Sequence, residues 1–168
     1  MYNILSLLEK KNKYTIFCDL DGVLVDFEKG YEDLTGIDIK NQFVQGDEKF
    51  WAPLTDAGAK FWAALDWMPD GKLLWRYIKK YHPNILSAPS REKSSKVGKE
   101  AWCRINIPNQ YKNLLLVPSW EKKDYAGENK ILIDDMEKNI KEWENNGGIG
   151  ILHKSTVETI FKLKKLGL

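Results

Sequence analysis

The chain is poor in the residues that build disulfide frameworks and zinc sites. It has two cysteines, Cys18 and Cys103, two histidines, His82 and His153, and no CxxC pair. Two cysteines, one in an apolar run and one in a helical stretch, read as free thiols in a reducing cytoplasm. A zinc centre would lack ligands. Charge of one sign is also missing: 26 basic residues face 24 acidic ones, for a net charge of +2. Lysine and arginine occur in short pairs, not in blocks, which argues against a stable nucleic-acid partner but not against a small phosphorylated substrate. There is no apolar run of membrane-spanning length. The opening MYNILSLLEKKNKY lacks a small-residue cleavage site and reads as a short leading helix, neither a signal peptide nor a membrane span. A cytoplasmic protein is expected. A homodimer is left open.

At 168 residues, 43% hydrophobic and 30% charged, the chain suits one globular unit with a small insertion. Five short apolar runs are expected to be strands: YTIFCD (14–19), PNILSA (83–88), NLLLVP (113–118), KILIDD (130–135) and GIGILH (148–153). Each is nearly continuous in apolar residues, as in parallel strands covered on both faces. Helical patterns lie between the later runs: Val97, Ala101 and Ile105; then Met136, Ile140 and Trp143; then Val157, Ile160 and Phe161. The alternation predicts an α/β fold, a doubly wound parallel five-stranded sheet with its site at the carboxyl ends of the strands.

Residues 27–82 break that rhythm. They are crowded with aromatics and show no convincing strand, so a small helical cap is expected there. The core would then comprise residues 1–26 and 83–168. Two near-copies, KFWAPL (49–54) and KFWAAL (60–65), occur in the cap, and Pro53 is expected to interrupt any single helix running through both.

The polar residues at the strand ends carry the chemistry. Asp19 closes the first strand, Ser87 the second, and Asp134 with Asp135 the fourth, so parallel strands bring all of them to one edge. Gathered carboxylates repel unless a cation sits among them, and oxygen-only ligands select a hard ion, Mg²⁺. Asp19 is placed to attack phosphorus. Asp21, two residues on, can protonate a leaving oxygen and later deprotonate water. Gly22 permits a sharp exit and close backbone approach. Ser87 can donate a hydrogen bond to a phosphoryl oxygen, and a lysine from VPSWEKKDYA can neutralise charge on that group. Two plainer readings compete: Asp-Gly is a hairpin signal, and Asp134–Asp135 could cap the next helix.

DLDGVLVDF resembles the first motif of the haloacid dehalogenase (HAD) superfamily, ILSAPS its second and KILIDD its fourth. The third, a lone lysine, falls on Lys122 or Lys123, with Lys123 preferred. The likeness spans about residues 14 to 152. It implies a Mg²⁺-dependent phosphatase acting through an aspartyl-phosphate, with metal held by Asp19, the Asp21 carbonyl and Asp135, and with Asp134 in support. Asp21 implies phosphoester chemistry, because the dehalogenases of the superfamily lack that acid. The finer pattern, FWAALDWMPDGKLLW included, resembles the 5′(3′)-deoxyribonucleotidase branch and its phage and bacterial relatives. That branch implies a deoxynucleoside monophosphate substrate whose base meets cap aromatics, for which Phe43, Phe61 and Trp62 are the candidates. Arg91, Lys96 and Lys99 follow the second motif and are unranked as contacts to phosphate or sugar. The alternatives are a phosphatase for a polynucleotide 3′-phosphate or a sugar phosphate, and a catalytically idle module of the same fold.

Overall fold

The computed structural model describes residues 13–39, 48–90 and 93–168. Five strands, β1 (Thr15–Cys18), β2 (Asn84–Ser87), β3 (Leu114–Leu116), β4 (Lys130–Asp134) and β5 (Ile149–Leu152), form one sheet in the order β3-β2-β1-β4-β5. All four pairings are parallel. Ile16, Cys18, Ile85, Ile131 and Ile133 are fully buried, as expected of β1, β2 and β4 with helices on both faces. The order reverses at β1, which sets β1 between β2 and β4. A site at its carboxyl end can therefore draw on three strands.

The helices after β1 are α1 (Phe27–Thr35), α2 (Glu48–Ala57), α3 (Ala59–Ala64) and α4 (Gly71–Ile78). Later come α5 (Lys93–Asn106), α6 (Glu137–Asn145) and α7 (Thr156–Lys165). Pro53 lies inside α2, contrary to expectation; the break between the near-copies falls at Gly58, whose φ is +63°. A proline inside a helix sacrifices one backbone hydrogen bond. Burial of Phe50 and Leu54 on the same helix offsets that loss.

The segment between β1 and β2 packs closely on the rest. Tyr31, Phe50, Trp62, Leu74 and Ile78 share one hydrophobic cluster with the sheet residues. Trp102 Nε1 of α5 donates to the Leu65 carbonyl at 2.8 Å, and Trp67 Nε1 donates to Asn106 at 2.9 Å. Helices α3 and α5 approach so closely that a Cβ on Gly98 would lie 2.5 Å from the Ala59 carbonyl oxygen. Only glycine admits that contact, and the residue after it, Lys99, is thereby carried into the interior.

The buried face of α5 is not the expected stripe. Val97 and Ile105 are exposed, and Ser95, Gly98, Lys99, Trp102 and Cys103 face inward. Met136, Val157 and Phe161 are likewise exposed. Ile140 and Trp143 are buried as the pattern suggested, and Trp143 stands edge-on to Phe17 at 5.1 Å. Both cysteines are free and buried. Among the described residues, no helix is long and apolar enough to cross a membrane.

Candidate active site

β1 delivers Asp19 to the sheet edge. Its backbone N–H still donates to the Ile133 carbonyl of β4, and the chain then turns. Leu20 accepts backbone hydrogen bonds from Val23, Leu24 and Val25, a compact loop that turns back over the site. Gly22 makes the loop possible. Its φ is +71°, and a Cβ there would sit 2.3 Å from Asp135 Oδ2. Any side chain would be strained by conformation and would push on the neighbouring carboxylate.

Asp19 is almost fully buried. Its Oδ1 accepts the Leu20 N–H at 2.7 Å and its Oδ2 accepts Lys122 Nζ at 2.8 Å. Lys122 also donates to Asp134 Oδ2 at 2.7 Å. Asp134 is saturated: Asn139 Nδ2 reaches both its oxygens at 3.0 Å, and the Met136 N–H donates to Oδ1 at 2.9 Å. Asn139 in turn accepts from Ser119 at 2.7 Å. This is a closed network, each member held by another.

Lys123, the expected lysine, is exposed. Both residues lie in a 3₁₀ segment, Ser119–Tyr125, where one step around the helix turns a side chain from the interior to solvent. Lys122 takes the position assigned to Lys123, with 1% of its surface exposed.

On the other side of Asp19 stands a second buried lysine. Lys99 Nζ donates to Asp21 Oδ2, to Ser87 Oγ at 3.0 Å and to the Ala88 carbonyl at 2.8 Å. Its ammonium also lies 5.4 Å from the centre of the Trp62 ring. Of the three cations left unranked by the sequence, Lys99 enters the site, Lys96 is exposed, and Arg91 lies outside the described residues. Ser87 is buried at the end of β2.

Asp21 has an uneven environment. About a third of its side chain, 31%, is exposed to the adjoining cavity. Its Oδ1 is nevertheless buried and has no hydrogen-bond partner among the described residues. A buried acceptor left in that state costs about 1–3 kcal/mol, so it marks a place where a ligand or water belongs.

The ionisation of the carboxyls follows this geometry. Burial pushes Asp19 upward, but the charges of Lys122 and then Lys99 outweigh it and hold the group below its ordinary value. For Asp21, burial outweighs Lys99, and the Asp19 charge adds to the upward push. Asp134 is raised by burial and by Asp19. Asp135 is pushed up to about 7 by burial and by the charges of Asp19 and Asp134, although part of its side chain reaches solvent.

Four carboxyls, Asp19, Asp21, Asp134 and Asp135, therefore crowd around two ammonium groups, Lys99 and Lys122. The surplus of two negative charges, if all ionise, matches a divalent cation. Oxygen atoms of Asp19, Asp134 and Asp135 lie within 4.8 Å of one another. Carboxylate oxygens alone suit a hard ion such as Mg²⁺. Asp134 already accepts from three partners, whereas Asp135 lines the cavity.

That cavity, about 570 Å³, is walled by Phe27, Ile39, Met68 and Met136, with Asp21, Gly22, Asp26, Glu28 and Asp135 along its polar side. The expected aromatics are placed differently. Trp62 is buried and stacked on Phe27 at 5.3 Å, and Phe61 stands edge-on to both, lining a separate hollow beside Lys29 and Asp33. Neither lines the cavity at the acids; Phe27 does. Phe43 lies outside the described residues. His153 is buried and bonded to Thr159 at 2.8 Å, while His82 is exposed at a left-handed turn before β2, so neither joins the acids.

No protein-family model matches the chain, and no curated protein matches it in sequence. Solved structures do match in shape. A hydrolase from Streptococcus pneumoniae superposes with a TM-score of 0.54 at 16% identity, over 90% of this chain and 99% of that one. A HAD-superfamily hydrolase from Ehrlichia chaffeensis gives 0.53 at 7% identity, over 92% and 97%. A hydrolase from Pseudomonas syringae gives 0.50 at 10% identity, over 91% and 99%. With its all-parallel sheet ordered β3-β2-β1-β4-β5 and acids at the carboxyl ends of β1 and β4, the chain has the HAD-like α/β fold.

Proposed function

We propose that the protein is a Mg²⁺-dependent phosphomonoester hydrolase that works through an aspartyl-phosphate on Asp19. One observation carries the reading. Asp19 is fixed at the end of β1 by Lys122 and the Leu20 N–H, and Asp21, two residues on, is held by Lys99 with one buried oxygen unpartnered among the described residues beside the cavity, while oxygens of Asp19, Asp134 and Asp135 lie within 4.8 Å of one another. A fixed carboxylate beside a second carboxyl that faces the cavity suits a nucleophile and an acid, and the directions in which their surroundings shift the two groups agree. A bound Mg²⁺, held by Asp19, Asp135 and the Asp21 carbonyl with Asp134 in support, would neutralise phosphoryl oxygens.

The residues then divide the work. An Asp19 oxygen attacks phosphorus, the bond from phosphorus to the ester oxygen breaks, and the departing alcohol takes the Asp21 proton. Asp21, now a carboxylate, accepts a proton from water; the water oxygen attacks phosphorus, and the bond to Asp19 breaks. Phosphate leaves with both acids restored. Ser87 and Lys122 donate to the phosphoryl oxygens, where preorganised donors stabilise developing charge. Two of the three Lys122 donors are occupied by Asp19 and Asp134, which leaves one for the substrate.

The substrate class we favour is a deoxyribonucleoside monophosphate. The cavity beside Asp21 offers an apolar wall of Phe27, Ile39, Met68 and Met136 on which a flat, neutral base can lie. Among its described lining residues there is no lysine or arginine, which disfavours a polynucleotide with further phosphates. The test is phosphate release from an aryl phosphate and from a panel of nucleoside and deoxynucleoside monophosphates, first with Mg²⁺ and then with EDTA. Metal-dependent release, greatest for deoxynucleotides, is expected. Absence of release from every substrate would leave the idle module of this fold as the better reading.

A further inference from the structure

Lys99 is not part of the strand-end pattern. It sits on the second turn of α5, and its side chain is 3% exposed. A lysine ammonium has three N–H donors. Here all three have acceptors: Asp21 Oδ2, Ser87 Oγ and the Ala88 carbonyl. None is left for a phosphoryl oxygen. That separates Lys99 from Lys122, whose third donor has no acceptor among the described residues.

Each acceptor gains a fixed orientation. With Oδ2 tied to Lys99, the Asp21 carboxyl cannot turn about its terminal bond without breaking a charge-assisted hydrogen bond. Its other oxygen, Oδ1, then remains at the one buried position that has no partner among the described residues. Ser87 Oγ accepts from Lys99, so its own proton must point elsewhere. The Lys99 ammonium also lies 5.4 Å from the centre of the Trp62 ring, and the tight α3–α5 contact at the neighbouring Gly98 fixes the helix that carries it.

We infer that Lys99 is a positioning residue that aims the Asp21 proton at the leaving group and the Ser87 hydroxyl at the phosphoryl group, without touching substrate itself. The inference rests on the phosphatase reading, and its test separates the two. Removing Lys99 should hurt most where the leaving group needs a proton. Benzyl phosphate and 4-nitrophenyl phosphate have similar bodies, but benzyl alkoxide is a poor leaving group and nitrophenolate a good one. The parameter to compare is kcat/KM, because it reports phosphoryl transfer to Asp19 and not the later hydrolysis, which both substrates share.

Lys99→Met keeps the apolar stem and removes the charge. It should lower kcat/KM for benzyl phosphate by at least about tenfold more than for 4-nitrophenyl phosphate, within the roughly 10²–10⁴-fold that a general acid supplies. The ratio of the two rates, taken on one preparation, is insensitive to any unfolded fraction. In an Asp21→Asn background the same substitution should cost the two esters equally, because the route through Asp21 is already gone and only the route through Ser87 remains. With Asp21 present, equal losses on both substrates or no loss on either would overturn the inference, as would an undiminished difference between the two esters in the Asp21→Asn background. A wild-type protein that hydrolyses neither ester would instead overturn the phosphatase reading, and the inference with it.

Discussion

The two sides of Asp19 are built on different principles. On the Lys122 side every oxygen of Asp19 and Asp134 is paired: Lys122 bridges the two, the Leu20 N–H holds the other Asp19 oxygen, Asn139 holds both Asp134 oxygens, and Ser119 holds Asn139. On the Lys99 side the lysine is saturated, but Asp21 keeps one buried oxygen with no partner among the described residues, beside a cavity of about 570 Å³. A closed network can hold buried charge without a ligand; a network with one end open holds a place for one. On the proposed mechanism the first side fixes the nucleophile, and the second presents a group to the substrate.

The contrast breaks most sharply at Asp19 itself. Asp19→Asn should reduce phosphate release by roughly a thousandfold or more, with circular dichroism unchanged, since the amide keeps the shape but not the nucleophile. Next comes the closed side. Lys122→Met leaves Asp19 and Asp134 facing each other in the interior and should destabilise the fold by about 3–5 kcal/mol in urea denaturation. Lys123→Met, one residue along and exposed, should change stability by less than about 0.5 kcal/mol.

Substitution at the loop gives a smaller effect. Gly22→Ala forces an alanine into a left-handed conformation and against Asp135, at about 1–2 kcal/mol of strain, and should weaken Mg²⁺ binding measured by calorimetry. The smallest effect is in pH. Asp135 keeps its proton to about pH 7, whereas the unfolded chain loses it near an ordinary carboxyl value. Between those values the folded state binds more protons, so this group's contribution falls as pH rises from about 4 to about 7. Metal-free protein should lose melting temperature across that window, and added Mg²⁺ should release protons and remove the loss.

The strands and the acids at their ends were legible because both follow from local rules: continuous apolar runs make buried parallel strands, and parallel strands share one carboxyl edge. Lys122 was not, because in EKKD two adjacent lysines are equivalent on paper and only the phase of the 3₁₀ segment buries one of them. Lys99 was hidden for another reason. The apolar stripe Val97–Ala101–Ile105 suggested which face of α5 turns inward, yet Val97 and Ile105 are exposed and the inward face carries Ser95 and Lys99. A helix that lends a charged side chain to a site departs from binary patterning where the site demands it. Gly98, between Val97 and Lys99, is the local trace of that arrangement. Packing also decides which aromatic meets the cavity: Trp62 stacks on Phe27 with the Lys99 ammonium beside its ring, and the smaller Phe27 lines the cavity.

The central claim is that Asp19 becomes phosphorylated during turnover. The direct measurement is acid-quenched peptide mass spectrometry of the protein mixed with a phosphomonoester and Mg²⁺, carried out on the wild type and on Asp21→Asn, in which hydrolysis of the intermediate is slowed. A phosphoryl group on the peptide containing Asp19, absent from Asp19→Asn and without metal, is the result predicted. Metal-dependent phosphate release with no adduct in either protein, and with Asp19→Asn still active, would contradict it.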